Sequence, residues 1–363
     1  MGRQSDYKCR VRNAGTRLSL VPCLLVVLLL SGCNYVAGVQ TQDDWAHYRA
    51  GGSFITTEPA YCPESHTVWF ASPKTGQGDI LKVDVASREV QTVIATPDTE
   101  CSPHIRGLDC RFLFFERKGH NRCRVWRHDL VTGVETPFSP AEGYFEIASI
   151  SPDGEAALVH ETTKLTTVQY TELRLVTATS QDSKLNFGLD GEFIPGTEQL
   201  LTARFTDSQE WMYYIVDYDN NVLHELQIAD RHNVQPDGTI ALLAGGNVSV
   251  YSTDGKLLAE HKNVVTDEYR YVSLRQNEAM YITEYIDLPA DGSRKQEFVR
   301  RPYDNSIPEV RIAIPEYTVN ATYADRCAVL IVKNSNDPGT IYFLDFADNS
   351  VKLLVGNKDL GRL

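Results

Sequence analysis

A repeated pattern constrains the fold of this chain more than any other feature of its sequence. A turn containing Pro or Asp precedes a short apolar strand, and successive copies begin about 40–50 residues apart. The sharpest copies are Ser-Pro-Asp-Gly at 151–154 and Gln-Pro-Asp-Gly at 235–238, before the apolar runs 156–159 and 240–243. The spacing predicts seven similar units. The five degenerate copies begin at Cys62, Ser102, Ile194, Arg275 and Ala324.

A second pattern, an apolar strand followed by a polar turn and another short strand, supports the same count. Its copies lie at 83–88, 128–133, 177–180, 216–221, 251–255, 302–305 and 344–349. Each unit then holds about four short strands in about 43 residues, the size of one propeller blade. The second strands are almost continuously apolar, as expected when a blade is packed between two neighbours. We predict an all-β, seven-bladed β-propeller of four-stranded antiparallel blades, with six or eight blades as alternatives and a β-sandwich as the alternative fold.

The Ser-Pro-Asp-Gly turn before an apolar strand resembles the TolB-like family of bacterial propeller repeats. The match is sharp at 151–154 and 235–238, and it extends as a looser pattern over residues 53–355. TolB itself has an extra α/β domain before its propeller, and the short segment before the first unit leaves no room for one. The resemblance therefore implies the fold, and the partners of TolB are not carried over, because a fold does not define a function.

The beginning of the chain resembles the signal peptide of a bacterial lipoprotein. Five Lys or Arg residues precede an apolar run of 13 residues, 18–30, which is shorter than the roughly 20 residues of a membrane-spanning helix. The run ends in Leu-Ser-Gly-Cys, which is similar to a lipobox and predicts lipidation of Cys33. We therefore predict three segments, which are a signal peptide at 1–32, a lipidated tether at 33–52 and the propeller domain at 53–363.

The charge of the chain bears on what it binds. The sequence has 35 Lys and Arg against 48 Asp and Glu, a formal net charge of −13, and removal of the leader makes it −17. This acidity argues against a nucleic-acid partner, which needs a basic face. The expected membrane contact is the lipid on Cys33 in the bacterial cell envelope. Asn34 stands where enterobacterial inner-membrane lipoproteins usually have Asp, so the outer membrane is favoured.

The cysteines allow several disulfide pairings. Export makes disulfides feasible, and the predicted mature chain has five cysteines besides Cys33. Cys101 and Cys110 flank the predicted turn of the second unit, so they form one candidate pair. Cys62 occupies in the first unit the position that Cys101 has in the second. A Cys62–Cys101 disulfide is therefore an alternative to the Cys101–Cys110 pair. Reduced, buried cysteines are the remaining alternative, and an odd count leaves at least one thiol unpaired.

Two histidines are candidates for contact with a ligand. His104 and His232 lie at predicted turns that point toward the central channel of a propeller. The sequence contains no metal-ligand, nucleophile or phosphate-loop motif, so we assign no catalytic residue, metal or cofactor. We therefore predict a lipid-anchored module that binds an envelope protein or a glycan. The alternative is a metal-assisted polysaccharide lyase or hydrolase with its site in the channel.

Overall fold

Seven antiparallel sheets of four strands each form the blades of a β-propeller in the computed structural model. This confirms the predicted all-β, seven-bladed fold. The residues that the structure describes are 59–72, 78–119, 122–165, 168–179, 182–185, 188, 190–265, 269–286, 294–333 and 339–356. They belong to one unit, His47–Leu363. The predicted signal peptide, Cys33 and the tether lie outside the described residues.

The first four blades contain strands β1 to β16. Blade 1 consists of β1 (Ala60–Cys62), β2 (Thr67–Ser72), β3 (Asp79–Asp84) and β4 (Val90–Ile94). Blade 2 consists of β5 (Thr99–Arg106), β6 (Phe112–Gly119), β7 (Arg122–Asp129) and β8 (Glu135–Pro137). Blade 3 consists of β9 (Phe145–Ile150), β10 (Ala156–Leu165), β11 (Val168–Thr177) and β12 (Asp182–Leu185). Blade 4 consists of β13 (Asp190–Ile194), β14 (Gln199–Phe205), β15 (Trp211–Asp217) and β16 (Val222–Ile228).

The last three blades contain strands β17 to β28. Blade 5 consists of β17 (Arg231–Val234), β18 (Ile240–Ala244), β19 (Asn247–Tyr251) and β20 (Leu257–His261). Blade 6 consists of β21 (Tyr269–Leu274), β22 (Glu278–Ile286), β23 (Arg294–Pro302) and β24 (Val310–Ile314). Blade 7 consists of β25 (Thr318–Tyr323), β26 (Cys327–Val332), β27 (Thr340–Asp345) and β28 (Ser350–Val355).

The first strand of each blade lies on the inside of the ring. First strands of successive blades contact one another, from β1 and β5 through to β21 and β25. Within each blade the strands follow in chain order, so the fourth strand is outermost. Short connections between first and second strands, which we call the inner turns, therefore meet at one end of the central channel. Among the described residues, no helix is long and apolar enough to cross a membrane.

The hydrophobic core consists of layers between neighbouring blades. Every residue of β2 and of β26 is buried, which explains the continuous apolar runs of the second strands. Between blades 2 and 3, Phe114 packs in the same cluster as Phe145 and Val159. Burying one such side chain contributes roughly 1.5–3 kcal/mol, so these layers hold the blades in the ring.

The ring closes between blade 7 and blade 1 without a shared sheet. Each of these blades takes its four strands from one continuous segment. Phe70 of blade 1 packs in one buried cluster with Val329 and Phe343 of blade 7. The Thr322 hydroxyl also donates a hydrogen bond to the Pro59 carbonyl across the same boundary, at 2.8 Å. Closure therefore depends on side-chain packing more than on strand pairing.

The predicted turn chemistry is confirmed at the sharpest repeat. The amide of Gly154 donates to the Ser151 carbonyl (3.0 Å), and the Ser151 hydroxyl donates to the Asp153 carboxylate (2.6 Å). Gly154 has a φ of 75°, a left-handed conformation that favours glycine. A Cβ atom there would lie 2.7 Å from the Phe112 ring. The residue type is therefore set by both backbone conformation and the neighbouring blade.

The predicted turn of blade 2 is misplaced. The Ser-Pro-His at 102–104 lies inside β5, where the pairing with β6 shifts between Cys101 and His104. The inner turn follows β5 and contains a short 3-10 turn, Leu108–Cys110. Pro103 is accommodated because β5 is an edge strand with an irregularity at this point. His104 and His232 accordingly lie in the innermost strands β5 and β17, rather than in inner turns.

Candidate functional site

The inner turns surround an open cavity of about 430 Å³ at one end of the channel. We call it the mouth cavity. Six blades contribute side chains or backbone to its wall. Its volume lies within the roughly 300–1,000 Å³ that is usual for a ligand pocket. The residues of the wall that bear on its chemistry are Tyr61, Glu64, Arg106, Ile150, Glu192, Phe193, Val234, Gln235 and Arg275.

Arg106 provides a cation from the end of β5. Its Nη1 donates to the Ile105 carbonyl (2.8 Å), and its Nε donates to the Ile150 carbonyl of blade 3 (3.4 Å). Burial lowers the pKa of the guanidinium, and the charge of Glu192 opposes that shift. Arginine remains protonated in proteins, so a positive charge is held inside the channel.

Glu192 of β13 provides a carboxylate to the same cavity. Its Oε2 accepts a hydrogen bond from the Val234 amide (3.1 Å) and lies 3.6 Å from Nε2 of His232. Burial raises the pKa of this carboxyl, although His232, Val234 and Arg106 all favour the charged form. A third of the side chain remains exposed, at 33%. Glu192 therefore stays within reach of a ligand while being held by blade 5.

Gln235 and Arg275 complete the polar part of the wall from blades 5 and 6. Nε2 of Gln235 donates to the Leu274 carbonyl at 2.6 Å, which fixes the amide between these blades. Nη1 of Arg275 lies 3.4 Å from the carboxylate of Asp325, whose side chain is 82% exposed. Nε of Arg275 is buried and makes no hydrogen bond to any residue that the structure describes. The cavity therefore combines two guanidinium groups with the carboxylates of Glu64 and Glu192.

The structure places both predicted histidines beside the mouth cavity, and neither belongs to its wall. His104 precedes Arg106 by two residues on β5, and burial lowers its pKa to about 4, so it is neutral at neutral pH. Nδ1 of His232 lies 3.2 Å from the Tyr213 hydroxyl, and its Nε2 faces Glu192. Their predicted role as ligand contacts stays a prediction, with His232 positioned to act through Glu192.

Sequence reasoning missed Arg106, Glu192, Gln235 and Arg275 as site residues. Two of these carried a usable signal, because Gln235 and Arg275 each begin a copy of the repeated turn. Equivalent positions of propeller repeats meet at the same end of the channel. Arg106 and Glu192 carried no such signal, since each is the end or middle of an inner strand and its orientation depends on local register.

The disulfide differs from the predicted pair. Cys110 is bonded to Cys62, with a Cα–Cα distance of 6.0 Å, and Cys101 is a buried free thiol. The reason is the position of the blade 2 inner turn, which carries Cys110 to the end of β1. Cys101 lies toward the other end of β5, where its thiol donates to the Glu116 carboxylate at 3.4 Å. The alternative pairing of Cys62 with Cys101 is excluded by the same geometry.

One group of potential metal ligands lies at the cavity wall. Within the described part of the chain, Cys62, Glu64 and Cys110 form the one set of three or more His, Cys, Asp or Glu side chains close enough to share an ion. Two of these three donors are joined in the disulfide. A disulfide offers no thiolate, so this set does not suit a metal in the oxidised protein.

Comparison with known proteins identifies the fold. No family model and no curated protein matches the chain. An uncharacterized protein of Listeria monocytogenes is 10% identical with a TM-score of 0.60, and the match covers 84% of this chain and 95% of that one. Acylaminoacyl peptidase of Pyrococcus horikoshii is 12% identical with a TM-score of 0.59, over 86% of this chain and 54% of the peptidase. The chain thus spans about half the length of that enzyme.

TolB of Acinetobacter baumannii is also among the similar structures. It is 14% identical with a TM-score of 0.46, and the match covers 86% of this chain and 67% of TolB. The fold assignment rests on the two matches of higher score. At identities this low, the structural neighbours establish the propeller fold and no shared activity.

Proposed function

We propose that this protein is a lipid-anchored binding module of the bacterial cell envelope, which holds a segment of a protein or a glycan in the mouth cavity. One observation carries the proposal: six blades converge on a single cavity whose wall combines apolar side chains with two guanidinium groups and two carboxylates. Ligand pockets typically combine apolar surface with polar groups that orient the ligand.

The alternative, a metal-assisted polysaccharide lyase or hydrolase, has less support. Such an enzyme needs several side-chain donors around one ion. In the parts of the chain that are described, the one candidate donor set is Cys62, Glu64 and Cys110, and its two sulfur atoms are bonded to each other. His104 and His232 belong to no such set. The binding module is therefore the function that the geometry favours.

Ligand binding is tested with the full chain purified in detergent and applied to arrays of short peptides and bacterial polysaccharide fragments. We expect saturable binding that is lost in Ser149→Trp, because Ser149 lines the cavity and the indole would obstruct it. Val131→Trp is the matched control, since Val131 is 78% exposed in a turn at the outside of blade 2. The proposal would be contradicted if the protein bound to neither array, or if the two variants bound equally.

The lipid anchor is tested separately by growth of an expressing bacterium with radiolabelled palmitate. We expect label on the wild-type chain and none on Cys33→Ser. Cys23→Ser is the matched control, because Cys23 lies within the apolar run of the leader. Density-gradient separation of the two membranes then tests the preference for the outer membrane. Equal labelling of both variants would remove the anchor from the proposal without affecting the binding site.

A further inference from the structure

Arg106 is a cation without a carboxylate partner. No carboxylate in the described residues lies within 4.0 Å of its guanidinium, which donates hydrogen bonds to the carbonyls of Ile105 and Ile150. Arg106 is partly buried, and an arginine whose charge loses hydration is usually paired. The guanidinium lines the mouth cavity, so a ligand entering the cavity would meet this charge.

Glu192 does not neutralise Arg106, because blade 5 holds its carboxylate. The Val234 amide donates to Oε2 at 3.1 Å, and Nε2 of His232 lies 3.6 Å from the same oxygen. The two contacts come from β17 and direct the carboxylate toward blade 5. Glu192 and Arg106 interact electrostatically across the cavity without forming an ion pair.

Arg275 is the second incompletely paired cation of the wall. Its Nε is buried and has no hydrogen-bond partner within the described part of the chain. Its Nη1 contacts Asp325 at 3.4 Å, a long distance for an ion pair with a carboxylate that is 82% exposed to solvent. Nη2 of Arg275 makes no hydrogen bond to a described residue, and Arg275 lines the cavity, so a ligand oxygen would meet this donor rather than the buried Nε.

We propose that Arg106 and Arg275 bind the C-terminal carboxylate of a peptide in the mouth cavity. The inference rests on the proposed function, because it assigns the ligand of the same site. The planar guanidinium matches the two oxygens of a carboxylate, and hydrogen bonds between such charged groups are stronger than neutral ones. A chain end brings a single carboxylate into the cavity.

The remainder of the wall favours a peptide over an acidic polysaccharide. Glu64 and Glu192 both line the cavity and would repel the repeated carboxylates of a polyuronate. Ile150, Phe193 and Val234 provide apolar surface for the last side chains of a peptide. A single terminal carboxylate beside apolar side chains fits this distribution of charge.

The first test compares two tetrapeptide libraries that differ only at the C-terminus. The full wild-type chain is titrated with a random library of N-acetylated tetrapeptides bearing free carboxylates, and with the same library as amides. Loss of charge-assisted hydrogen bonds predicts binding of the amides about 10–100-fold weaker. Equal binding of the two libraries would overturn the inference and leave the binding module intact. Binding of oligouronates in preference to both libraries would overturn it as well.

The second test uses variants of the two arginines. We expect Arg106→Met and Arg275→Met to reduce binding of the free acids to the level of the amides, and Arg106→Lys to retain part of it. Arg111→Met is the control, because Arg111 is half exposed and pairs with Asp129 outside the cavity. Circular dichroism checks that each variant is folded. If a variant is unfolded, the comparison of free acids with amides in the wild type tests the inference instead. Free-acid binding unchanged by Arg106→Met would contradict the assignment, and failure of every peptide and glycan would remove the proposed function itself.

Discussion

Cys62 and Cys110 form a disulfide that joins blade 1 to blade 2 at the wall of the mouth cavity. Cys62 ends β1, and Cys110 lies in the inner turn between β5 and β6. Blade 1 is thus held on one side by a covalent bond and on the other by packing against blade 7. We therefore expect the disulfide to stabilise the ring and to fix the position of this part of the cavity wall.

Removal of this disulfide should destabilise the protein. The two cysteines are 48 residues apart in sequence, and a cross-link of this span restricts the unfolded chain considerably. We expect Cys62→Ala combined with Cys110→Ala to lower the free energy of unfolding by about 2–4 kcal/mol. Chemical denaturation measures the difference. Dithiothreitol should lower the denaturation midpoint of the wild type and leave that of the double variant unchanged, and an equal response of both would contradict the assigned pairing.

The closure between blades 7 and 1 should be sensitive to loss of a single ring. Phe343 is 2% exposed and packs against the rings of Tyr61 and His66, with centroids 5.7 and 5.5 Å away. Because no strand crosses this boundary, we expect Phe343→Ala to lower the free energy of unfolding by about 3–5 kcal/mol. Ile307→Ala, at a 53% exposed position, serves as the control and should change stability by less than about 0.5 kcal/mol. Equal effects of the two changes would argue that closure does not depend on this contact.

The repeat made the architecture predictable because its turns have simple local chemistry. Ser151 and Gly154 form the turn that their residue types favour, and this turn recurs at Gln235 and Gly238. The turn of blade 2 was predicted in the wrong place because the sequence around Pro103 resembles the repeated turn. Pro103 instead lies in an irregular part of the edge strand β5. The misplaced turn then led to the wrong partner for Cys110.

The site was less predictable because it depends on which blades meet around the channel. Arg106 and Glu192 lie in blades 2 and 4, with one blade between them, and they share a cavity because the blades curve around the channel. Their lack of an ion pair follows from contacts of Glu192 with His232 and Val234, which a single sequence does not reveal. His104 and His232 lie beside this wall although they were predicted at turns, because the inner strands that carry them end at the same cavity.

A buried charged cluster in blades 2 and 3 should make stability depend on pH. Lys118 lies 3.2 Å from Glu116 and 3.1 Å from Glu146, and all three side chains are nearly buried. Burial, followed by the charge of Glu116, raises the pKa of Glu146 from 4.5 to about 7. Between these two values the folded protein binds more protons at Glu146 than the unfolded chain does. Its contribution to stability is therefore present at low pH and is lost as pH rises toward 7.

Glu146→Gln tests this dependence, because the amide is similar in size and does not ionise. We expect the loss of stability between pH 5 and pH 7.5 to be smaller in this variant than in the wild type, by on the order of 2 kcal/mol. Urea denaturation at the two pH values measures it. Glu155→Gln is the control, because the Glu155 side chain is 56% exposed. The same pH dependence in wild type and Glu146→Gln would show that another group is responsible.

The hairpin between β18 and β19 offers a matched pair of glycines with different surroundings. Gly245 and Gly246 both have left-handed backbone angles, with φ of 55° and 85°. No atom of the described residues lies within 4 Å of a Cβ at Gly245, whereas a Cβ at Gly246 would overlap the Val265 carbonyl oxygen. We expect Gly245→Ala to cost about 1–2 kcal/mol from backbone strain alone. Gly246→Ala should cost about 1–3 kcal/mol more, because a backbone oxygen must shift to make room for it. Thermal denaturation of the two variants measures the difference, and equal melting temperatures would contradict the packing of this hairpin against the 264–265 segment.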